Sequence, residues 1–188
     1  MSKQLIKQAA INQFHRYGYE GVKMAQVATE AGMRKQSIYY HYPTKRDLFT
    51  ELYDEVIEEE INFLQAYFND HPDVTSKELL YRFLKEMKRR ISEKATVVFL
   101  HLMSYSPPSE IATFVASRYL TNFNVFKNEV RKVFEKEAFT AGAEDCTLGY
   151  VTLFDGLLVH LFYNTGLSYE HSLDASFEIF WKGISCKE

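Results

Sequence analysis

Apolar residues recur along this chain at spacings of three and four almost throughout, and no segment sustains the alternation of a half-buried strand. Ile6, Ala10, Phe14 and Tyr17 give a first amphipathic helix that ends near Gly18. Two short helices follow, around residues 24–31 and 35–42. Pro43-Thr44 opens a long fourth helix reaching about Phe68, with Leu48, Leu52, Val56, Phe63 and Tyr67 roughly on one side, before Asp70-His71-Pro72-Asp73 breaks it. Thr75 with Glu78 forms a capping box for a fifth helix, and Ser92 caps a sixth reaching about Tyr105. Ser106-Pro107-Pro108 reads as an N-cap with proline in the first turn of a seventh helix, extending to about Phe139 ahead of Gly142. An eighth runs from about Glu144 to Asn164. Ser168 caps a ninth, in which Leu173, Phe177, Phe180, Trp181 and Ile184 repeat at helical spacing. The expected fold is all-α with about nine helices: an N-terminal three-helix head, residues 1–48, joined by the long fourth helix to a helical body, residues 49–188.

Composition supports long helices in a well-filled core. The 188 residues are 46% hydrophobic and include only 4 Pro and 8 Gly. Charge sharpens the division. The net charge of -3 conceals a head with eight Lys/Arg against three Asp/Glu and a body with 14 against 22. A basic head on an acidic body fits contact with phosphates at one end. The opening MSKQLIKQAAINQF is amphipathic and lacks the apolar core of a signal peptide. The most apolar stretch, Val151–Tyr163, is interrupted by Asp155, Gly156 and His160 and is too short to span a bilayer. A soluble cytoplasmic protein with no membrane partner is expected. Cys146 and Cys186 lack metal-ligand spacing and are expected as buried thiols.

The most informative segment is MAQVATEAGMRKQSIYYHYPTKRDLF. A helix-turn-helix needs a small residue where its helices cross, a residue tolerating positive φ in the turn, and an apolar anchor on the second helix. Ala28, Gly32 and Ile38 supply them in that order. Lys35, Gln36, Ser37, Tyr40 and His41 then point outward or along the edge of the second helix. Gln36 can pair with a base edge, preferably adenine, and Ser37 can reach a base or a phosphate. Tyr39 and Tyr40 can donate to phosphates or stack on thymine methyls. Thr44 is a candidate DNA contact, and Lys45, in the first turn after it, can place a charge on a phosphate. Tyr42 is expected in the core, while His41 can pack or touch phosphate.

These residues resemble the TetR family of bacterial regulators. The resemblance is carried by Ala9-Ala10, Phe14, Gly18-Tyr19-Glu20, Val27-Ala28, Ala31-Gly32-Met33, Ser37-Ile38-Tyr39-Tyr40-His41-Tyr42 and Lys45-Arg46-Asp47-Leu48. It covers the first quarter of the chain strongly. Beyond that it rests on helix number, length and the Phe154-Asp155-Gly156-Leu157 segment of the eighth helix. Two positions depart from the family pattern: Lys23 and Arg34 stand where a hydroxyl residue usually opens the second and third helices. Neither can accept a capping bond, though each can bring charge to the same phosphates.

The resemblance implies a homodimer that binds a near-palindromic double-stranded operator and carries a small-molecule effector site in its body. The regulator would be a repressor released by a lipophilic or aromatic ligand. The dimer would form through Leu153, Leu157 and Leu161 of the eighth helix and Leu173, Phe177, Phe180, Trp181 and Ile184 of the ninth. That stripe requires burial, against a partner or within the monomer. Phe99, Met103, Tyr105, Phe114, Tyr119, Phe123, Phe126, Phe154 and His160 are the candidates for a ligand cavity, or for plain core. No Gly-rich phosphate loop, His-Glu metal motif or nucleophile motif occurs, so neither enzymatic activity nor a cofactor is expected. The alternative reading is a helical protein–protein adaptor with a vestigial DNA-binding head.

Overall fold

A computed structural model describes residues 2–71, 73–163 and 166–185, so Cys186 and the expected helix end at Asn164 lie outside the described residues. Among the described residues all regular structure is helical: α1 Ser2–Gly21, α2 Met24–Glu30, α3 Lys35–His41, α4 Lys45–Asn69, α5 Ser76–Glu93, α6 Ala95–Tyr105, α7 Ser109–Phe134, α8 Ala143–Phe162 and α9 Tyr169–Ile184. Gly18 interrupts α1 with φ 64 and ψ 175, so the last turn is set off from the rest.

Several expected boundaries hold. The Glu78 amide donates to Thr75 Oγ at 3.3 Å, and the His171 amide to Ser168 Oγ at 3.3 Å. Three others move. Ser92 lies inside α5, and the break falls at Lys94, whose extended backbone offers its carbonyl to the Val97 and Val98 amides. Pro107 and Pro108 precede α7 instead of entering it, while Ser106 ends α6. The seventh helix stops at Phe134, because Phe139 folds back onto Phe134 and Trp181, at ring distances of 5.3 and 5.6 Å.

The chain forms two compact units. Unit 1 comprises Met1–Ile61 and Ser92–Asn122. Its core joins Phe14 of α1, Ile38 of α3, Phe49 and Tyr53 of α4, Phe99 of α6, and Ile111 and Val115 of α7, all at or near zero exposure. Phe99 sits 5.8 Å from Phe14 and 5.7 Å from Phe49, so α1 and α4 share a core with α6. Burial of this kind is the main favourable contribution to folding.

Unit 2 comprises Asn62–Ile91 and Phe123–Glu188. Phe83, Phe126 and Phe154 form an aromatic cluster there, with centroids 5.2 and 4.9 Å apart along the series. The buried hydroxyls of Tyr150 and Tyr169 donate to the carbonyls of Leu80 and Leu84, at 2.7 and 3.1 Å, which satisfies them in the interior. At Gly149 a Cβ would lie 2.8 Å from Phe180 Cε2, so only glycine admits the ring this close to α8. Cys146 is a buried free thiol, as expected, and burial pushes it above the usual thiol range. With 20 residues, α8 is longer than the stretch singled out in the sequence, and by length and composition alone it could cross a membrane. In unit 2 it serves as a core helix, burying Tyr150, Val151, Phe154, Leu157 and Leu158.

Candidate nucleic-acid interface

The α2–α3 corner is built by the residues the spacing singled out. Ala28 is 1% exposed at the crossing, and Ile38 is wholly buried beneath α3. Gly32 has φ 67 and closes α2 with a paired cap: the Met33 amide bonds Ala28 O at 2.8 Å and the Gly32 amide bonds Thr29 O at 3.0 Å. Glu30, the last residue of α2, receives Asn12 Nδ2 at 2.8 Å and also Gln13 Nε2, which ties α2 to α1. These bonds hold its carboxyl below the usual range.

On α3 the exposed residues are Lys35, Gln36, Tyr39 and Tyr40, which share one side of two turns. Tyr40 is 87% exposed, an unusual position for a large ring. Ser37 and His41 are half-buried, and His41 packs edge-on against Tyr40 at 5.5 Å. Among the described residues Lys35, Gln36 and Tyr39 have no side-chain partner. Their hydrogen-bonding groups remain available to a ligand. Tyr42 is buried, as expected. Lys23 and Arg34 occupy the N-cap positions of α2 and α3 with extended backbone and no side-chain cap bond.

Two residues at the α4 entrance are already engaged within the chain. Thr44 and Asp47 form a reciprocal cap: Asp47 Oδ2 accepts from the Thr44 amide at 3.0 Å and from its hydroxyl at 2.7 Å, while Thr44 Oγ accepts from the Asp47 amide at 3.1 Å. Lys45 is engaged as well. Its ammonium donates to Tyr19 O at 2.7 Å and Glu20 O at 3.4 Å, and lies 4.4 Å from the Tyr19 ring centre. The break at Gly18 leaves these carbonyls at the negative end of α1, where a cation is favourable. Tyr19 in turn donates to Glu110 at 2.8 Å.

Sequence reasoning missed a cluster around Glu51, fed by Lys3, Lys7 and Tyr42. A signal was present. Lys3 and Lys7 are a like-charge i,i+4 pair, as are Glu51 and Glu55. Such pairs destabilise an isolated helix, so two of opposite sign call for each other.

The ligand candidates do not gather in one unit. Phe99, Met103, Tyr105, Phe114 and Tyr119 belong to unit 1. There Phe99 is wholly buried, Phe114 packs on Tyr53 at 6.0 Å, and Tyr105 is 54% exposed. Phe123, Phe126, Phe154 and His160 belong to unit 2. His160 lines a groove of about 410 Å³ between α8 and α9, together with Gly149, Leu153, Gly156, Leu157 and Ser176.

Of the dimer candidates, Leu157, Leu173, Phe177 and Ile184 are buried within this chain's own unit 2. Leu153, Leu161, Phe180 and Trp181 are half-buried. The large apolar side chains left exposed on α8 and α9 among the described residues are Leu148, Val159 and Ile179.

Comparison with known proteins agrees with this layout. The family model for "Bacterial regulatory proteins, tetR family" matches residues 6–52. The chain is 22% identical over 105 residues, 56% of its length, to the HTH-type transcriptional regulator RutR of Escherichia coli. It is 28% identical over 95 residues, 50% of its length, to IcaR of Staphylococcus epidermidis, the HTH-type negative transcriptional regulator of the biofilm operon icaADBC. It spans about half the length of these curated relatives. The solved structure of FadR from Bacillus subtilis, a transcriptional regulator in complex with stearoyl-CoA, superposes with TM-score 0.71 at 16% identity, covering 96% of this chain and 98% of that one. At that identity the likeness establishes the fold.

Proposed function

We propose that the chain is a member of the TetR family of bacterial regulatory proteins and a sequence-specific transcriptional regulator, cytoplasmic and without enzymatic activity. It acts as a homodimer that represses from a near-palindromic operator. The observation that carries this reading is the α3 surface: Lys35, Gln36, Tyr39 and Tyr40 exposed above a buried Ile38, on a helix fixed by the Gly32 turn. Gln36 reads a base edge, while Lys35, Lys23 and Arg34 bring charge to the flanking phosphates. Two such helices, one per subunit, enter successive major grooves about 34 Å apart.

The dimer forms through the outer face of α8 and α9, where Thr152, Gly156, Ser176 and Gly183 keep the surface low around Val159 and Ile179. Low side chains allow close helix approach, and a two-fold axis repeats each contact. The IcaR name supports repression as the mode. A small lipophilic or aromatic molecule binds the helical body and favours a state with different head spacing. Coupling of about 1–3 kcal/mol would lower operator affinity about 5- to 150-fold.

The test is a gel shift of the protein with DNA upstream of its own gene, titrated with salt. A specific complex that weakens steeply with salt is expected. No specific complex at low salt would overturn the reading in favour of a protein–protein adaptor. Gln36→Ala should relax preference at one base position, by about 1–3 kcal/mol.

A further inference from the structure

With seven residues, α3 makes few internal hydrogen bonds, so outside anchors must fix its direction. One anchor is Ile38 beneath it. The other lies at its C-terminal end, where Tyr42 is the C-cap and is 1% exposed. The Tyr42 hydroxyl donates to Glu51 Oε1 at 3.0 Å. The same carboxylate takes Lys7 Nζ at 2.7 Å on Oε1 and Lys3 Nζ at 3.1 Å on Oε2. Lys7 also pairs with Glu55, and Lys3 lies 5.2 Å from the Tyr42 ring centre. One carboxylate thus joins α1, the end of α3 and α4, all within unit 1.

The chemistry keeps this junction in one protonation state. The Lys7 bond, with those from Lys3 and Tyr42, holds the Glu51 carboxyl down at about 2. Burial and the Glu51 bond push the Tyr42 phenol up to about 12. At neutral pH the phenol is always a donor and the carboxylate always an acceptor. Charge-assisted bonds of this kind are directional as well as strong.

Resting on the DNA-binding reading above, we propose that Glu51 is a positioning residue for operator discrimination. Through Tyr42 it sets the angle at which α3 presents Gln36 and its neighbours to base edges, without touching DNA itself.

A merely structural role makes a different prediction. Loss of folded protein lowers binding to every duplex in proportion. Loss of the clamp does not, because Lys3, Lys7, Glu51 and Glu55 together are electrically neutral. Glu51→Gln leaves a lysine in excess, which attracts any phosphate backbone. Its affinity for specific DNA should fall while its affinity for unrelated DNA stays level or rises. Tyr42→Phe removes only the hydroxyl, so its affinity for unrelated DNA should not change.

The experiment uses the full chain and two labelled duplexes of equal length. One is recovered by wild-type selection from a randomised library, and the other is its scramble. Anisotropy titrations at fixed salt give the ratio of the two affinities for wild type, Glu51→Gln, Tyr42→Phe and the double variant. Each single variant should lower the ratio about tenfold, the scale of one hydrogen bond to a charged group. The double variant should be no worse than Glu51→Gln, because both substitutions break one network. An unchanged ratio in both single variants, or a proportional loss on both duplexes, overturns the clamp and leaves the DNA-binding reading intact. Absence of discrimination by the wild type overturns both.

Discussion

Substitution of Gly32 by alanine tests the corner of the helix-turn-helix with little else disturbed. A Cβ at Gly32 would meet nothing within 4 Å, so the cost is confined to the local backbone. At φ 67 an L-residue sits in the left-handed region, at about 1–2 kcal/mol relative to glycine. The alternative is for the turn to leave that region and lose the bonds from Met33 to Ala28 and from Gly32 to Thr29. Two backbone bonds contribute about 1–3 kcal/mol together, so retaining the turn under strain costs no more than abandoning it. The expected loss is therefore about 1–2 kcal/mol. For a chain of this size that lowers Tm by roughly 2–8 °C. Gly32→Asn should recover a good part of it, since asparagine visits the left-handed region more readily. Urea unfolding followed by circular dichroism measures both. A neutral or stabilising Gly32→Ala, or an asparagine variant as costly as alanine, would refute the argument.

Three further outcomes follow from the same geometry. Phe99→Ala should destabilise by about 3–5 kcal/mol, because the ring is wholly buried among Phe14, Phe49 and Tyr53; a loss below about 1 kcal/mol in urea melts would contradict its place in the core. Ile179→Glu should convert the dimer to a folded monomer in light-scattering chromatography, because Ile179 is 74% exposed on the proposed partner face; an unchanged dimer would move the interface elsewhere. Glu51 has a folded-state pKa depressed from 4.5 to about 2, so its contribution to stability is full above 4.5 and fades as pH falls towards 2. Acid melts of wild type should lose stability in that window more steeply than those of Glu51→Gln, and identical slopes would show that the carboxylate has no folded-state partners in solution.

Local features were legible in the sequence because their causes are local. The Thr75 and Ser168 caps, the Gly32 turn and the buried Ile38 each follow from residues within one or two turns of one another. What escaped depends on residues far apart. Lys3 meets Glu51 at a separation of 48, and Lys45 meets Tyr19 at 26. The α9 stripe shows the limit most clearly. The spacing of Leu173, Phe177 and Ile184 required burial, and the chain's own unit 2 provides it. Periodicity says that a face is covered but not by what, and a four-residue repeat reads the same against a partner as against α5. The face proposed for a partner is instead marked by small residues and Ile179, a weaker signal because glycine and serine serve many purposes.

The missing caps on α2 and α3 fit the same distinction between local and distant support. A capping side chain contributes about 0.5–2 kcal/mol, and both helices lack one at their N-termini. Helices this short would not hold in isolation. Here each is held at its far end: α2 by Glu30 on Asn12 and Gln13, and α3 by Tyr42 on Glu51. Support from the C-terminal ends leaves the N-cap positions open to residues that cannot cap. Those residues are Lys23 and Arg34, cations placed one residue ahead of the first helical turn. A serine at position 34 would stabilise α3 in the free protein but would bring no charge to a phosphate. On the proposed reading the clamp makes that stabilisation dispensable, and the position can serve binding.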